Sequence, residues 1–378
     1  PPVFFSPMSA FRRFLNLVLA AIESVFDRIR VLFRRPLHRV TGIRIVPYRG
    51  FGSGRALFLK GRVVRNPFVL QVRERETAWG NLRDSLRRFG TNEVPGVEVQ
   101  LSWGGGLHIA TTDEEGYFAF QLDGYPGGET SPMVWNRVEL RLVTRTADEP
   151  TTTAAEVLVP PGTARFGVIS DIDDTVLVSN ATQRLRMARL ALFRSARTRL
   201  PFAGVAAFYR ALQKGTAPGE FNPVFYVSSS PWNLYDMLVE FFRWHNIPAG
   251  PLMLRDIGVS RTVAAGSPHL AHKSVQIKHI MDMYPALSFI LIGDSGQHDP
   301  EIYRQAVSDY PDRIMAIYIR DVSRPGRDMA VQTIISSLAD QSVPMFLVPD
   351  TLAAAQHAAA NGWIPQETLS EVAAASEA

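Results

Sequence analysis

The stretch Phe166-Gly-Val-Ile-Ser-Asp-Ile-Asp-Asp-Thr-Val-Leu-Val-Ser179 carries the densest chemistry in the chain: an apolar run ends in Asp171, Asp173 and Asp174, followed by Thr175. Carboxylates this close repel one another, and a packed core has no use for them. A hard divalent cation such as Mg²⁺ takes oxygen ligands, keeps several waters and relieves that repulsion. The position suits a ligand too, because open α/β sheets bind ligands just beyond the carboxyl ends of their strands. Taken alone, the run is also compatible with a plain loop after a strand.

Three later stretches repeat the pattern. Pro223-Val-Phe-Tyr-Val-Ser-Ser-Ser-Pro231 is an apolar run ending in hydroxyls, with a helix expected from Trp232. Hydroxyls and helical N–H groups at such a junction suit an anion. Ser-Ser-Pro equally suits a cap, with Ser230 as N-cap and Pro231 at the first helical position, leaving Ser228 to face the sheet's carboxyl edge. Lys273 is one of only four lysines, with Lys60, Lys214 and Lys278. It falls where a helix is expected to begin, against the helix dipole, whereas Lys278 reads as solvated. In Phe289-Ile-Leu-Ile-Gly-Asp-Ser-Gly-Gln-His-Asp299 an apolar run again ends in an acid, and Gly293 and Gly296 let the backbone turn sharply. Asp294 is placed to reach the same cation as Asp171. Asp299 either orients it or caps the helix from Pro300, and His298 is a substrate contact or a solvated loop histidine.

The order D-x-D-x-T, apolar run then Ser, Lys, and Gly-Asp-x4-Asp over residues 166–299 resembles the haloacid dehalogenase-like phosphohydrolases. More narrowly, Ser170-Asp-Ile-Asp-Asp-Thr175, Tyr226-Val-Ser-Ser-Ser-Pro-Trp-Asn-Leu-Tyr235, Leu254-Arg-Asp256, His272-Lys273 and Gly293-Asp-Ser-Gly-Gln-His-Asp-Pro-Glu-Ile-Tyr303 resemble the actin-patch-protein-type phosphatidate phosphatases. The resemblance covers about residues 165–325. It implies Mg²⁺-dependent hydrolysis of phosphatidate to diacylglycerol and phosphate through an aspartyl-phosphate. It further implies Asp171 as nucleophile and Asp173 as general acid and base. Mg²⁺ would sit on the carboxylates of Asp171 and Asp294 and the backbone carbonyl of Asp173. Ser228 and Lys273 would hold the transferring oxygens, while Asp174, Thr175 and Asp299 support the loop and the ligands. Ser229, Arg255 and His298 are candidate substrate contacts.

The elements that must position these residues follow from texture. A chain of 378 residues with 46% hydrophobic and 20% charged residues has room for two cores. With no cysteine, thiol catalysis, thiolate metal sites and disulfides are excluded. Beyond Pro160-Pro-Gly162, strand-like runs alternate with helical patterns: strands over 166–170, 223–228, 287–292, 313–319 and 343–348, and helices over 183–214, 232–245, 272–282, 299–308, 328–340 and 351–360. This predicts an α/β fold with a Rossmann-like parallel sheet of the haloacid dehalogenase type over 163–378, fraying after Pro365. Between 41 and 162, short runs over 43–46, 56–64, 97–103, 117–122, 138–143 and 155–159 predict a small antiparallel β-sandwich, similar to transthyretin-like accessory domains. Gly50-Phe-Gly-Ser-Gly54 precedes a strand and lacks the Lys of a phosphate loop, so it reads as a turn or linker.

Residues 1–40 stand apart. Ser9 to Arg35 reads as an amphipathic helix with Phe11, Phe14, Leu15, Val18, Ile22, Val25 and Phe26 on one stripe, stopped by Pro36. Seven arginines against two acids there account for the positive net charge, which argues against nucleic acid as a partner. The stripe either packs on protein or lies in a membrane interface, with its arginines toward anionic head groups; a processed signal is a third reading. A second arginine-rich amphipathic stretch, Gln183 to Arg194, lies where members of that superfamily carry a cap. These features favour a cytoplasmic, peripherally membrane-associated lipid phosphatase that meets the bilayer through residues 9–35. The alternatives are a soluble phosphohydrolase of small phosphomonoesters and a non-catalytic membrane-associated scaffold.

Overall fold

The structure is a computed structural model that describes residues 42–65, 92–124, 134–143, 151–177, 201–255, 268–322, 327–339 and 343–377. The proposed helix over 9–35 and the stretch 183–194 lie outside the described residues.

The first sheet holds β1 (Ile43–Pro47), β2 (Gly50–Gly52), β3 (Leu57–Arg65), β4 (Asn92–Glu93), β5 (Glu98–Trp103), β6 (Gly106–Thr111), β7 (Tyr117–Leu122), β8 (Trp135–Val143) and β9 (Thr152–Leu158). Its path is β1-β3-β2-β9-β8-β5-β6, with β4 and β7 also paired to β3. The alternation foreseen in β5 and β8 holds: Val99, Leu101, Val138, Leu140 and Leu142 are buried, while Glu98, Glu139 and Arg141 face outward. Strands distant along this path share one core, where Phe118 and Phe120 meet Val99, Leu140 and Val157, so the sheet curls over on itself.

Two features differ from expectation. Gly50 to Gly52 is a strand rather than a linker, and it pairs parallel to β9, which makes this sheet mixed instead of purely antiparallel. The reason is Phe51, whose side chain is fully buried in a neighbouring core and pins the short strand in place. β6 was hidden in sequence behind Gly104 and Gly105. Both have positive φ, 59° and 76°, as a tight two-residue hairpin turn requires.

The second sheet is wholly parallel and comprises β10 (Phe166–Ser170), β11 (Val224–Pro231), β12 (Leu252–Arg255), β13 (Ser288–Asp294), β14 (Ile314–Arg320) and β15 (Met345–Val348), in the order β12-β11-β10-β13-β14-β15. Chain order reverses between β10 and β13, and ligands of open α/β sheets bind at such a switch point. Among the described residues the helices are α1 (Val205–Lys214), α2 (Tyr235–Trp244), α3 (Pro268–Met283), α4 (Asp299–Asp309), α5 (Asp328–Ala339), α6 (Thr351–Ala360) and α7 (Thr368–Glu377). Alternate strand residues feed two cores. Val168, Tyr226, Ile290 and Tyr318 pack against α1, α2, α6 and α7. Ile169, Phe225, Leu291 and Ile317 pack against α3, α4 and α5. With both faces covered, these strands read as continuous apolar runs. The residues after Pro365 do not fray: α7 docks with Val372 fully buried, and Arg210 pairs with Glu371. No helix among the described residues is long and apolar enough to cross a membrane.

The two sheets share a seam beneath the Ser228 motif. Tyr48 stacks on Trp232 at 4.8 Å between ring centroids, the Arg49 N–H donates to the Tyr235 hydroxyl at 2.8 Å, and the Tyr117 hydroxyl donates to Asn233 at 2.8 Å. On the other side Tyr284 donates to the Gly52 carbonyl at 3.1 Å, and Phe51 meets Phe225 edge-on at 5.6 Å. Phe51→Ala should therefore lower unfolding free energy by about 3–5 kcal/mol, the range for emptying a buried aromatic site. Denaturant unfolding measures it, and a loss below about 1 kcal/mol would show that the seam adds little.

Candidate active site

Asp171 leaves β10 and Asp294 ends β13, so the switch point brings two distant acids side by side. Main-chain pairing continues past the strand, with the Asp171 N–H donating to the Ile292 carbonyl at 2.9 Å. The loop then turns through Asp174 in the left-handed region, φ 59°, and its N–H bonds the Leu177 carbonyl at 3.0 Å. An aspartate tolerates that conformation better than most side chains do. Thr175 Oγ1 reaches Asp171 Oδ2 at 3.4 Å. Asp174 and Thr175 thus shape the loop.

Lys273 projects from the second turn of α3, which begins at Pro268 rather than near residue 272. Its Nζ lies 2.7 Å from Asp171 Oδ1 and 2.6 Å from Asp299 Oδ1, with all three side chains buried. Asp299, at the first turn of α4, also accepts the Asp294 N–H on Oδ2 at 3.2 Å. That approach needs Gly293, since a Cβ there would sit 2.6 Å from Asp299 Oδ2. Asp294 is itself crowded with donors: the Gly296 and Gln297 N–H groups reach Oδ1 at 2.7 and 2.9 Å, and Gln297 Nε2 reaches Oδ2 at 3.0 Å. Arg327 holds this loop from outside, donating to the Ser295 and Gln297 carbonyls and pairing with Glu301.

Ser228 and Ser230 both turn to Asp173. Their hydroxyls donate to Asp173 Oδ2 at 2.9 and 3.0 Å, and the Ser230 N–H donates to Ser228 Oγ at 2.9 Å. Ser230 is therefore not a helix cap. Pro231 occupies the cap position of a short 3₁₀ turn over Trp232–Leu234, and the Ser230 hydroxyl joins the site. No spacing rule marked Ser230 for this role, because a Ser-Ser-Pro end satisfies capping rules equally well.

Among the described residues, ligand atoms of Asp171, Asp294 and Asp299 lie within 4.8 Å of one another, all buried. The expected set was the carboxylates of Asp171 and Asp294 with the backbone carbonyl of Asp173, and Asp299 in a supporting place. The Asp173 carboxylate is turned to the serines, and only its carbonyl, which accepts Gln297 Nε2 at 3.1 Å, faces Asp294. Burial pushes Asp171 well above the ordinary carboxylate range; Lys273 pulls the other way, and Asp299 and Asp294 add to the rise. Burial and Asp299 push Asp294 up to about 8. Burial works against the Lys273 ammonium, yet Asp171 and Asp299 more than offset it and hold its pKa above the ordinary lysine value. Three carboxyl groups share one ammonium in a buried space, so charging all of them calls for a further cation. Although Asp171 Oδ1 is ion-paired with Lys273, it has no well-directed hydrogen bond. Hard oxygen donors, three carboxyl groups to one ammonium and an underused oxygen fit a divalent cation.

The candidate substrate contacts are more dispersed. Ser229 is half-buried beside the serine pair, and Arg255 ends β12 opposite Pro231, at the same edge of the sheet. His298 is exposed at the start of α4, and its carbonyl accepts the Ile302 N–H.

A family model described as the catalytic domain of phosphatidate phosphatase APP1 matches residues 166–321, the span that holds every residue of this cluster. Over that span the chain resembles the APP1-type phosphatidate phosphatases. Phosphatidate phosphatase APP1 of Saccharomyces cerevisiae is 32% identical over 197 residues, covering 50% of this chain and 32% of the yeast protein. An uncharacterized protein of Schizosaccharomyces pombe is 30% identical over 159 residues, covering 42% of this chain and 25% of its own length. The chain thus spans a third or less of the curated relatives it matches. Among solved structures, a titin M10–obscurin-like 1 immunoglobulin complex covers 32% of this chain and 100% of its own at 17% identity, with a TM-score of 0.16, which carries no argument about the fold.

Proposed function

We propose that this chain is a Mg²⁺-dependent phosphatidate phosphatase of the haloacid dehalogenase-like type, releasing diacylglycerol and phosphate. The observation that carries the reading is the meeting of Asp171, Lys273, Asp294 and Asp299 at the sheet's switch point, inside the span that matches the APP1 catalytic domain. Asp171, Asp294 and Asp299, with the Asp173 carbonyl, would hold the cation. Magnesium there would neutralise charge between two anions that must approach.

The chain's own groups do the rest. An Asp171 carboxylate oxygen bonds to phosphorus as the ester oxygen leaves, splitting one difficult displacement into two easier ones. Asp173 gives the departing alkoxide its proton, then takes one from the water that cleaves the acyl phosphate. Ser228 and Ser230 grip one oxygen of Asp173 and leave the other for that proton. Lys273 has three donors, hydrogen-bonds Asp299 and ion-pairs with Asp171, so an N–H remains that can meet a phosphoryl oxygen. Asp299 positions Lys273. Ser229, Arg255 and His298 would meet the substrate's head group, and residues 9–35 would seat the enzyme on the bilayer surface from the cytoplasmic side.

The test is phosphate release with Mg²⁺ from phosphatidate in vesicles against water-soluble phosphomonoesters. Phosphatidate should be preferred by at least about tenfold in kcat/KM, roughly 1.4 kcal/mol of differential transition-state binding. Equal or better turnover of the soluble esters would assign the site to small phosphomonoesters instead.

A further inference from the structure

Gln297 belongs to none of the roles assigned above, yet its side chain touches the centre of the site. Nε2 donates to the Asp173 carbonyl at 3.1 Å and to Asp294 Oδ2 at 3.0 Å. These are two of the oxygens that the cation reading needs. The amide's orientation is set by its neighbours, because turning it over would point Oε1 at two acceptors. One nitrogen with two N–H groups thus chelates the same oxygen pair that a divalent cation would bridge. A Mg²⁺ ion held by these two oxygens would lie about 2.0–2.1 Å from each and so would need the space these N–H groups fill. Amide and cation cannot share it.

We infer that Gln297 is a built-in competitor for the divalent cation: its carboxamide holds Asp173 and Asp294 together and must swing aside when the ion enters. The inference rests on the proposed cation site. The backbone is arranged for such a swing. The Gln297 N–H stays on Asp294 Oδ1 and the Gln297 carbonyl accepts from Arg327, so the main chain is anchored at both ends of the residue. The side chain is half-buried, with solvent within reach. A residue that competes for the ligands weakens cation binding and stabilises the protein without the ion. A residue that merely braces the loop stabilises the protein but does not weaken binding.

The two are separated with Gln297→Met, which keeps length and approximate volume but removes the donors. Calorimetric titration of chelator-treated full chain with Mg²⁺, without substrate, should show about fivefold tighter binding in Q297M, the scale of one net hydrogen bond. Thermal unfolding in chelator should shift down in Q297M, while the rise on adding Mg²⁺ should be larger than in wild type. If Gln297→Ala behaves as Q297M does, altered packing is ruled out as the cause. Equal or weaker Mg²⁺ binding in Q297M beside a normal wild-type isotherm would overturn the role of Gln297 alone. No Mg²⁺ binding by the wild type would overturn both this inference and the cation site it rests on.

Discussion

Asp171→Asn should abolish phosphate release while the fold survives. The substitution keeps the shape of the side chain and removes the carboxylate proposed as nucleophile, and loss of a covalent nucleophile costs on the order of 10⁴–10⁶ in kcat. Folding should be spared or improved. Burial already opposes the Asp171 carboxylate, and a neutral amide escapes that penalty. Lys273 keeps its second partner, Asp299, at 2.6 Å. Initial rates with phosphatidate vesicles and a thermal melt, taken together, check the expectation. A stable variant that retains more than about one per cent of wild-type kcat would place the nucleophile elsewhere, since residual catalysis without a nucleophile is far smaller.

Lys273→Met has the largest expected effect on stability. Lys273 is 3% exposed and its ammonium sits between Asp171 and Asp299, so its removal leaves two buried carboxylates facing each other. Removing one partner of a buried ion pair costs about 3–5 kcal/mol, and little solvent reaches this site to soften it. The deficit should depend on pH with a definite sign. Burial raises the Asp171 pKa and Lys273 opposes that rise, so without the lysine the folded state binds a proton on Asp171 more tightly still than the unfolded chain does, and the gap from wild type narrows as pH falls and widens as it rises. Adding Asp171→Asn and Asp299→Asn to Lys273→Met should restore much of the stability and none of the activity. Denaturant midpoints at two pH values measure this. A pH-independent deficit would mean that Lys273 is held by packing rather than by its two acids.

Much of the site was legible because its chemistry sits on local signals. Asp171, Asp294 and Ser228 each end an apolar run, and strand ends are the points a parallel sheet gathers on one edge. Lys273 stood out through scarcity, although a helix starting at Pro268 rather than near residue 272 moves it off the helix terminus. What could not be read depends on side-chain direction. Spacing does not say that the Asp173 carboxylate turns to Ser228 and Ser230 while its carbonyl faces Asp294, or that Asp299 lies close enough to join Asp171 and Asp294. Gln297 is a loop residue between β13 and α4, and no periodicity reports where its amide points. In the fold, β2 was missed because a three-residue Gly-Phe-Gly segment has almost no strand character until Phe51 finds its pocket in the other sheet's core. The helix at the C-terminal end was missed because its stability comes from docking Val372 rather than from propensity.

The central claim is that Asp171 takes the phosphoryl group onto its own carboxylate. Turnover of phosphatidate with Mg²⁺ can be stopped with borohydride, which reduces an acyl phosphate to an alcohol, and the peptides can then be weighed. The account predicts the mass change of a reduced carboxyl at position 171, dependent on both substrate and Mg²⁺. Ongoing phosphate release with position 171 unmodified, or with the label on another acid, would contradict it.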